Sequence, residues 1–416
     1  MSVVLLLATM GGSSFAFEAF SLVGDPTLDG LVATALRGNP ELRAAEESLS
    51  AARARVPQAG ALPDPVATVS YQNGGHGWSP GADNDTGVGI AVRQDLPFAG
   101  KRRLAQEVET REAERAGHLV SRVRLSLVYR VRVTYAELLR VRENLVILED
   151  QRRALHDIEE LTRSRYAVGL AGQSDVLRAQ AELARLGQAR IHEEGQEASA
   201  VAELNRLLAR PAGTPVEPAQ RLVSLAERPL GVPSLEEVLA GVDAMSPDVA
   251  ADAAMVARSE AALQLARRMS KPDFSALASY LNRGSLPPIF AVDVGVALPL
   301  YKGRKQGQAV AEAEARLRSD QALGDAMRLR ARAEAEKALA DLRAAVGEAQ
   351  TYTQGVLAVD ALAVESAVAG FRAGKSPFVA VLEAHNALYK DRWQQADLLF
   401  HVLWHGARLD AWSLEN

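Results

Sequence analysis

Cysteine is missing altogether from the 416 residues. Its absence excludes disulfides, thiolate metal sites and a lipid-modified N-terminal cysteine, while saying little about compartment. Also missing is a surplus of either charge: 47 basic and 52 acidic residues are mixed along the chain and leave a net charge of −5. There is no basic field for nucleic acid and no acidic tail. Long apolar runs are scarce too. After the first residues no stretch approaches the ~18 uncharged apolar residues of a membrane-spanning helix. The nearest, Leu125–Leu139, is interrupted by Arg130, Arg132 and Glu137. No P-loop, GxSxG or dinucleotide fingerprint is present, so nothing points to an enzyme or a cofactor.

What is present suits a folded chain. At 48% hydrophobic and 24% charged, the composition is neither disordered nor that of a polytopic helical membrane protein. The start, "MSVVLLLATMGGSSFAF", has an apolar core from Val3 to Met10 followed by Ser14-Phe15-Ala16, a small-x-small pattern. It reads as a secretory signal over residues 1–16, although no Lys or Arg occupies its first positions.

The chain is written twice. "YAVGLAGQSDVLRAQAEL" (166–183) aligns without a gap to "FRAGKSPFVAVLEAHNAL" (371–388) at an offset of 205. "PDPVATVSYQNGG" (63–75) matches "PDFSALASYLNRG" (272–284) at 209, "NPELRAA" echoes "SPDVAAD" at 207, and "LPFAGKRR" (96–103) returns as "LPLYKGRK" (298–305) at 202–203. Four matches in one order, with offsets drifting by a few residues, predict a duplication. The first repeat is expected over 17–209 and the second over 234–416, joined by a Pro-rich segment at 210–233.

Each half predicts the same elements. A helix comes first, at Leu31–Gly60 and Leu235–Ser270. Two short alternating strands follow, at about 66–73 with 87–95, and at 274–282 with 289–297. Gly/Pro/Asn-rich loops, Gly74–Thr86 and Arg283–Pro288, connect them. Long helices occupy 101–165 and 303–370. In the first, Ala116, Val120, Val123, Leu127, Val131, Tyr135, Leu138, Leu145 and Leu148 form a coiled-coil-like seam, with Val128, Val133 and Val146 off it. No proline interrupts 101–165, so it spans roughly 98 Å at 1.5 Å per residue. Gly172 and Gln173 turn the chain and Ser174 caps a return helix to Leu208; the second return helix is expected over 377–412. In each half the two shorter helices together come within a few residues of the length of the long one.

The strands limit the architecture most. Their length is close to the ~9–11 residues that cross an outer membrane, yet known barrels begin at about 8 strands. An open sheet in lipid leaves its edges unsatisfied. Either several copies share one barrel, or the sheet is a soluble patch on a non-membrane coiled-coil scaffold.

In this order and wording the chain resembles the TolC-type outer-membrane efflux family. The resemblance is carried by "NPELRAA", "PDPVATVSY", "LPFAGKRR", "YAVGLAGQSDVLRAQAEL", "LNRLLARP" and "FRAGKSPFVAVLEAHNAL", from about residue 30 to 412. The "PDP…SY" and "LPFAGKRR" wording is more like the heavy-metal (cation) efflux branch than the drug or protein-secretion branches. The resemblance implies a mainly α fold with a small β part: a homotrimer with a twelve-stranded outer-membrane barrel in lipid, continuing into a periplasmic α-helical barrel. It implies as partners a periplasmic adaptor (membrane fusion) protein and an inner-membrane pump of RND type, and a passive duct for metal cations or small toxic compounds.

The same resemblance implies sites. The adaptor would meet the tip turns at Val168, Gly169, Leu170, Gly374 and Lys375, where both glycines equally serve to end helices. The acidic constriction rings map to Ala380 and Glu383, so one is absent and one is kept; Asp175 is the first-half counterpart of Ala380. An ordinary surface role for Glu383 stays open. Pro97, Gly100, Pro299 and Gly303 mark barrel-to-tunnel junctions, with proline ending the strand and glycine making the bend. Their basic clusters would pair with acidic neighbours or with groups near the lipid. Asp293, on the small-residue face of its strand, is expected in the barrel lumen. His401 and His405 have the i, i+4 spacing of a helical metal pair but no HExxH pattern, so they read as packing residues and no metal site is expected.

Overall fold

The structure, a computed structural model, describes residues 25–73, 86–227 and 231–411. The expected signal segment 1–16 and nearly all of the loop Gly74–Thr86 lie outside the described residues. The fold is mostly helical, with one small antiparallel sheet. Among the described residues, nine α-helices and four strands run in the order α1 (Pro26–Gly38), α2 (Pro40–Gly60), β1 (Val66–Gln72), β2 (Gly87–Leu96), α3 (Lys101–Ala167), α4 (Gln173–Leu207), α5 (Leu235–Met245), α6 (Pro247–Arg268), β3 (Asp273–Arg283), β4 (Leu286–Ala297), α7 (Gln306–Thr351), α8 (Leu357–Arg372) and α9 (Phe378–Asp410). A 3₁₀ turn at Leu222–Glu227 lies in the Pro-rich segment. The order helix, helix, strand, strand, long helix, return helix occurs twice.

The helix expected over Leu31–Gly60 is two helices, and so is that over Leu235–Ser270. Each break falls on a residue before proline. Asn39 and Ser246 adopt extended ψ values of 125° and 117°, as the clash with a following proline ring requires. Pro40 and Pro247 then open the next helices, where a missing N–H costs nothing. Asn39 also caps α2: its Oδ1 accepts from the backbone N–H of Glu41 at 2.8 Å and of Leu42 at 3.3 Å, while its Nδ2 donates to the Leu207 carbonyl at 2.9 Å.

Other boundaries move as well. α4 starts at Gln173, and its N-cap is Gly172, whose N–H donates to Asp175 at 3.4 Å; the expected cap, Ser174, lies inside the helix. The second long helix begins at Gln306 rather than 303. A π-helical turn at Tyr352–Val356 separates α7 from α8 while the backbone stays helical through both joins. Within Gln306–Arg372 lies an 18-residue window of mean hydropathy 1.3 that is only 6% buried, an apolar stretch the sequence reading passed over. The alanines and valines around Asp360 and Glu365 raise its hydropathy without making it uncharged.

Two compact units divide the described chain. One comprises residues up to Ala44 with Ser121–Pro247 and Leu329 onward; the other comprises Ala45–Val120 and Asp248–Arg328. In the first, the core is built on α3. Leu127, Val131, Tyr135, Leu138 and Leu155 are fully enclosed together with Leu204, Leu207, Leu339, Leu342 and Leu399 from other helices. Leu139, Val141 and Ile147, off the expected seam, are buried too, as befits a helix packed on several sides. The Tyr135 hydroxyl donates to Asp25, the buried N-cap of α1.

The second unit holds the sheet, ordered β1-β2-β3-β4 and antiparallel throughout. The two halves meet at β2 and β3, from Val88 opposite Asn282 to Leu96 opposite Phe274. The second hairpin is tighter than expected, since Arg283 pairs with Leu286 across Gly284 and Ser285. Register sorts the side chains by face. Val69, Ile90 and Tyr280 align with Phe290 on one side, and Ala278 brings Val92 beside Val292. The other side carries Ser70, Gly89, Ala91, Arg93, Ser275, Ser279, Ala291, Asp293 and Gly295, together with Val66, Leu277, Leu281 and Ile289. The apolar side is uncovered: Phe290 is 77% and Val292 79% exposed.

Replacing Asn39 by alanine removes both the α2 cap and the donor to the Leu207 carbonyl. The expected loss is about 2 kcal/mol, roughly half from the cap and half from the unpaired buried carbonyl. Asn39→Asp, which keeps the cap alone, should fall between alanine and wild type in thermal unfolding followed by helical circular dichroism.

Candidate functional site

The turns after α3 and α8 are built alike. Each helix ends on a glycine in the left-handed region, Gly169 at φ +77° and Gly374 at φ +73°. Gly169 N–H donates to the Tyr166 carbonyl at 3.0 Å and Leu170 N–H to that of Arg165 at 2.8 Å; Gly374 and Lys375 repeat this with Phe371 and Gly370 at 3.0 and 2.8 Å. This is the paired 6→1 and 5→2 arrangement that satisfies the last carbonyls of a helix. A Cβ at Gly169 would meet open space, so only the backbone conformation asks for glycine there.

Arg165 joins the two turns. Its Nη1 donates to the Arg372 carbonyl at 3.1 Å, and its guanidinium lies 4.8 Å from the Phe371 ring centroid. A cation at the C-terminus of α8 and over an aromatic face is favoured on both counts. Phe371 and Phe378 meet edge-on at 6.1 Å and anchor a core with Ile158, Ala179 and Val381. Around this core Val168, Gly169, Leu170, Gly374 and Lys375 are all exposed. The structure therefore brings the two sets of expected tip residues to neighbouring turns with apolar side chains in solvent.

Glu383 is exposed on α9. Asp175 is held at the start of α4 by its contact with Gly172, so its carboxylate serves the helix end. Two residues past Glu383, His385 is only 1% exposed. Among the described residues neither of its nitrogens has a hydrogen-bond partner of normal geometry, and its ring tilts against Tyr389 at 4.7 Å. Sequence reasoning missed this residue, because a histidine among alternating apolar positions carries no mark of its burial.

The two junctions differ. At the first, Gly100 makes the bend with φ +90°. Lys101 is 5% exposed and its Nζ donates to both oxygens of Asp273, at 2.8 and 2.9 Å, and to the Lys271 carbonyl at 2.8 Å. Asp273 also accepts from the Phe98 N–H at 2.7 Å. Arg268 donates to the Ala99 carbonyl at 3.0 and 2.8 Å and lies over the Phe98 ring. Pro97 is half-buried beside this cluster. The basic residue thus pairs with an acidic neighbour.

At the second junction Gly303 lies in the bend but without a positive φ; the turn runs through Tyr301–Lys305 and is closed by the Arg304 and Lys305 N–H groups on the Tyr301 carbonyl at 3.1 and 2.9 Å. Pro299 is half-buried, whereas Lys302, Arg304 and Lys305 are exposed. Asp293 is exposed on the small and polar side of β4, opposite Leu277. His401 and His405 have ring centroids 6.1 Å apart, with Trp404 against His405 at 4.8 Å. Among the described residues no group of three or more His, Asp or Glu side chains is placed to hold a metal.

Comparisons with known proteins agree in direction. The model of the outer membrane efflux protein family matches residues 31–210 and 241–411. Protein CyaE of Bordetella pertussis is 31% identical over 217 residues, which make up 47% of this chain and 44% of CyaE; that match spans less than half of the relative. The pyoverdine export outer membrane protein OpmQ of Pseudomonas aeruginosa is 25% identical over 398 residues, 88% of this chain and 80% of OpmQ. Among solved structures, the outer membrane protein VceC of Vibrio cholerae shares the fold with a TM-score of 0.77 at 20% identity, over 92% of this chain and 95% of VceC.

Burial lowers the pKa of His385, against weaker opposing effects from Asn386, the Gln151 backbone and Glu182. The unfolded chain takes up this proton near 6.5 and the folded chain only at lower pH. Stability held above about pH 6.5 is therefore lost as the pH falls toward the folded value. Thermal unfolding of the wild type should drop between about pH 7 and 5, and His385→Leu should flatten that part of the profile.

Proposed function

The chain belongs to the outer membrane efflux protein family, and from that premise we propose that three copies form the exit duct of a tripartite efflux system. The observation that carries this reading is the sheet. It is antiparallel; one face carries Val69, Ile90, Phe290 and Val292, the other mixes small and charged residues with Val66, Leu277, Leu281 and Ile289, and among the described residues β1 and β4 are its edges. In lipid such edges are not tolerated, and closure is what removes them. Three copies supply twelve strands, within the range of known barrels, with Val69, Ile90, Phe290 and Val292 toward lipid and Asp293 toward the lumen.

The duplicated halves then repeat the passage from strand to long helix six times around the axis. The exposed apolar turn at Val168, Gly169 and Leu170, with Gly374 and Lys375 beside it, is the surface offered to a periplasmic adaptor, which links the duct to an RND-type pump. Three copies of Glu383 around the axis would focus a cation-favouring ring at the constriction. Cargo is chosen by the pump. Metal cations fit such a ring, and the relative named for pyoverdine export keeps small organic cargo within the reading.

Outer-membrane fractions should contain a band of about three chain masses that collapses to one on heating; a soluble single chain would overturn the assembly. In planar bilayers Glu383→Gln should lower cation selectivity while leaving trimers intact. Unchanged selectivity would remove the ring but not the duct.

A further inference from the structure

The two junction motifs have different surroundings. At "LPFAGKRR", where β2 ends, Lys101 is buried and paired with Asp273, the first residue of the adjacent strand β3. At "LPLYKGRK", where β4 ends, Leu300 and Tyr301 are 79% and 74% exposed. Lys302, Arg304 and Lys305 project beside them, and no carboxylate pairs with them among the described residues. No acidic residue lies between Asp293 and Glu312 in sequence.

The duplication says what is missing. Aligned on their glycines, Gly100 and Gly303, the motifs place Arg304 where Lys101 stands and Tyr301 where Phe98 stands. The counterpart of Asp273 is Asp64, since "PDF" at 272–274 repeats "PDP" at 63–65. Asp64 is exposed just before β1. β1 and β3 run in the same direction, as do β2 and β4. An antiparallel pairing of β4 with β1 therefore brings the end of the one to the start of the other, as β2 and β3 already do. Within one chain β1 and β4 are opposite edges of the sheet. Only a second copy can supply the match.

We propose that Asp64 of one copy enters the Leu298–Lys305 turn of the next and pairs with Arg304, reproducing between chains the Lys101–Asp273 contact that exists within one. The acid sits against Arg304 and the Tyr301 turn, Tyr301 covers Pro65 where Phe98 covers Phe274, and Lys302 and Lys305 add favourable field. The contact sets register as well as affinity, because a strand slipped by one position swaps its apolar and polar faces and separates the two charges.

This inference rests on the trimeric duct, and its test separates the two. The chain has no native cysteine, so Asp64→Cys with Arg304→Cys gives two unique thiols. Purified full-length protein treated with a short bis-methanethiosulfonate spacer should yield covalent trimer on denaturing gels; either single variant should not. In parallel, Asp64→Lys and Arg304→Glu should each lower the temperature at which the trimer band dissociates, and the double swap should restore much of the loss. Trimers that form without the cross-link, or a double swap no better than the singles, would overturn the pairing and leave the duct standing. If Arg304→Glu leaves trimer stability unchanged but abolishes enrichment of phosphatidylglycerol over phosphatidylcholine in mixed vesicles, the turn faces lipid headgroups and the pairing fails. A wild type that forms no trimer removes both readings.

Discussion

Backbone hydrogen bonding in a medium without water is the constraint from which the rest follows. Four strands can satisfy one another, but among the described residues β1 and β4 are the edges of the sheet. A soluble protein would cover or charge such edges. Here one face is apolar and exposed at Val69, Ile90, Phe290 and Val292, while the other mixes small, charged and apolar residues, which suits lipid on the first face. The strand-to-helix junctions must then hold register at the rim, and the buried Lys101–Asp273 pair shows how one of them does so.

The helices answer a second demand, that long elements run without gaps. α3 and the stretch Gln306–Arg372 each count 67 residues, although one is unbroken and the other contains the π turn at Tyr352–Val356. Such a turn adds a residue without adding a regular i→i−4 step, so faces beyond it are rotated relative to those before it. Gln395 on α9 donates to Thr353 at 2.9 Å, and Thr353 in turn donates to the Ala349 carbonyl at 2.8 Å, which ties the irregularity to the neighbouring helix.

Much of this was legible from local chemistry. Alternation around Val88–Val92 and Phe290–Val296 marked strands because one face of each is apolar, and Gly169 and Gly374 marked helix ends because few other residues reach positive φ. What stayed hidden depends on distance along the chain. The pairing of Lys101 with Asp273 joins residues 172 apart, although both were visible as parts of repeated motifs. The π turn has no composition of its own, and the burial of His385 depends on α3 and α4. The breaks at Asn39 and Ser246 were readable in principle, since each precedes a proline; apolar periodicity on both sides masked them.

Arg165 makes the two helix turns unequal partners. Its counterpart in the second half is Gly370, which has no side chain to reach back, and a Cβ there would lie 2.2 Å from the Ser376 hydroxyl. The tie therefore has no twin in the second half: Arg165 of α3 rests on the end of α8, and Gly370 has no side chain to offer in return. In the trimer proposed above, this tie would recur once per copy, always from the first half of the chain to the second.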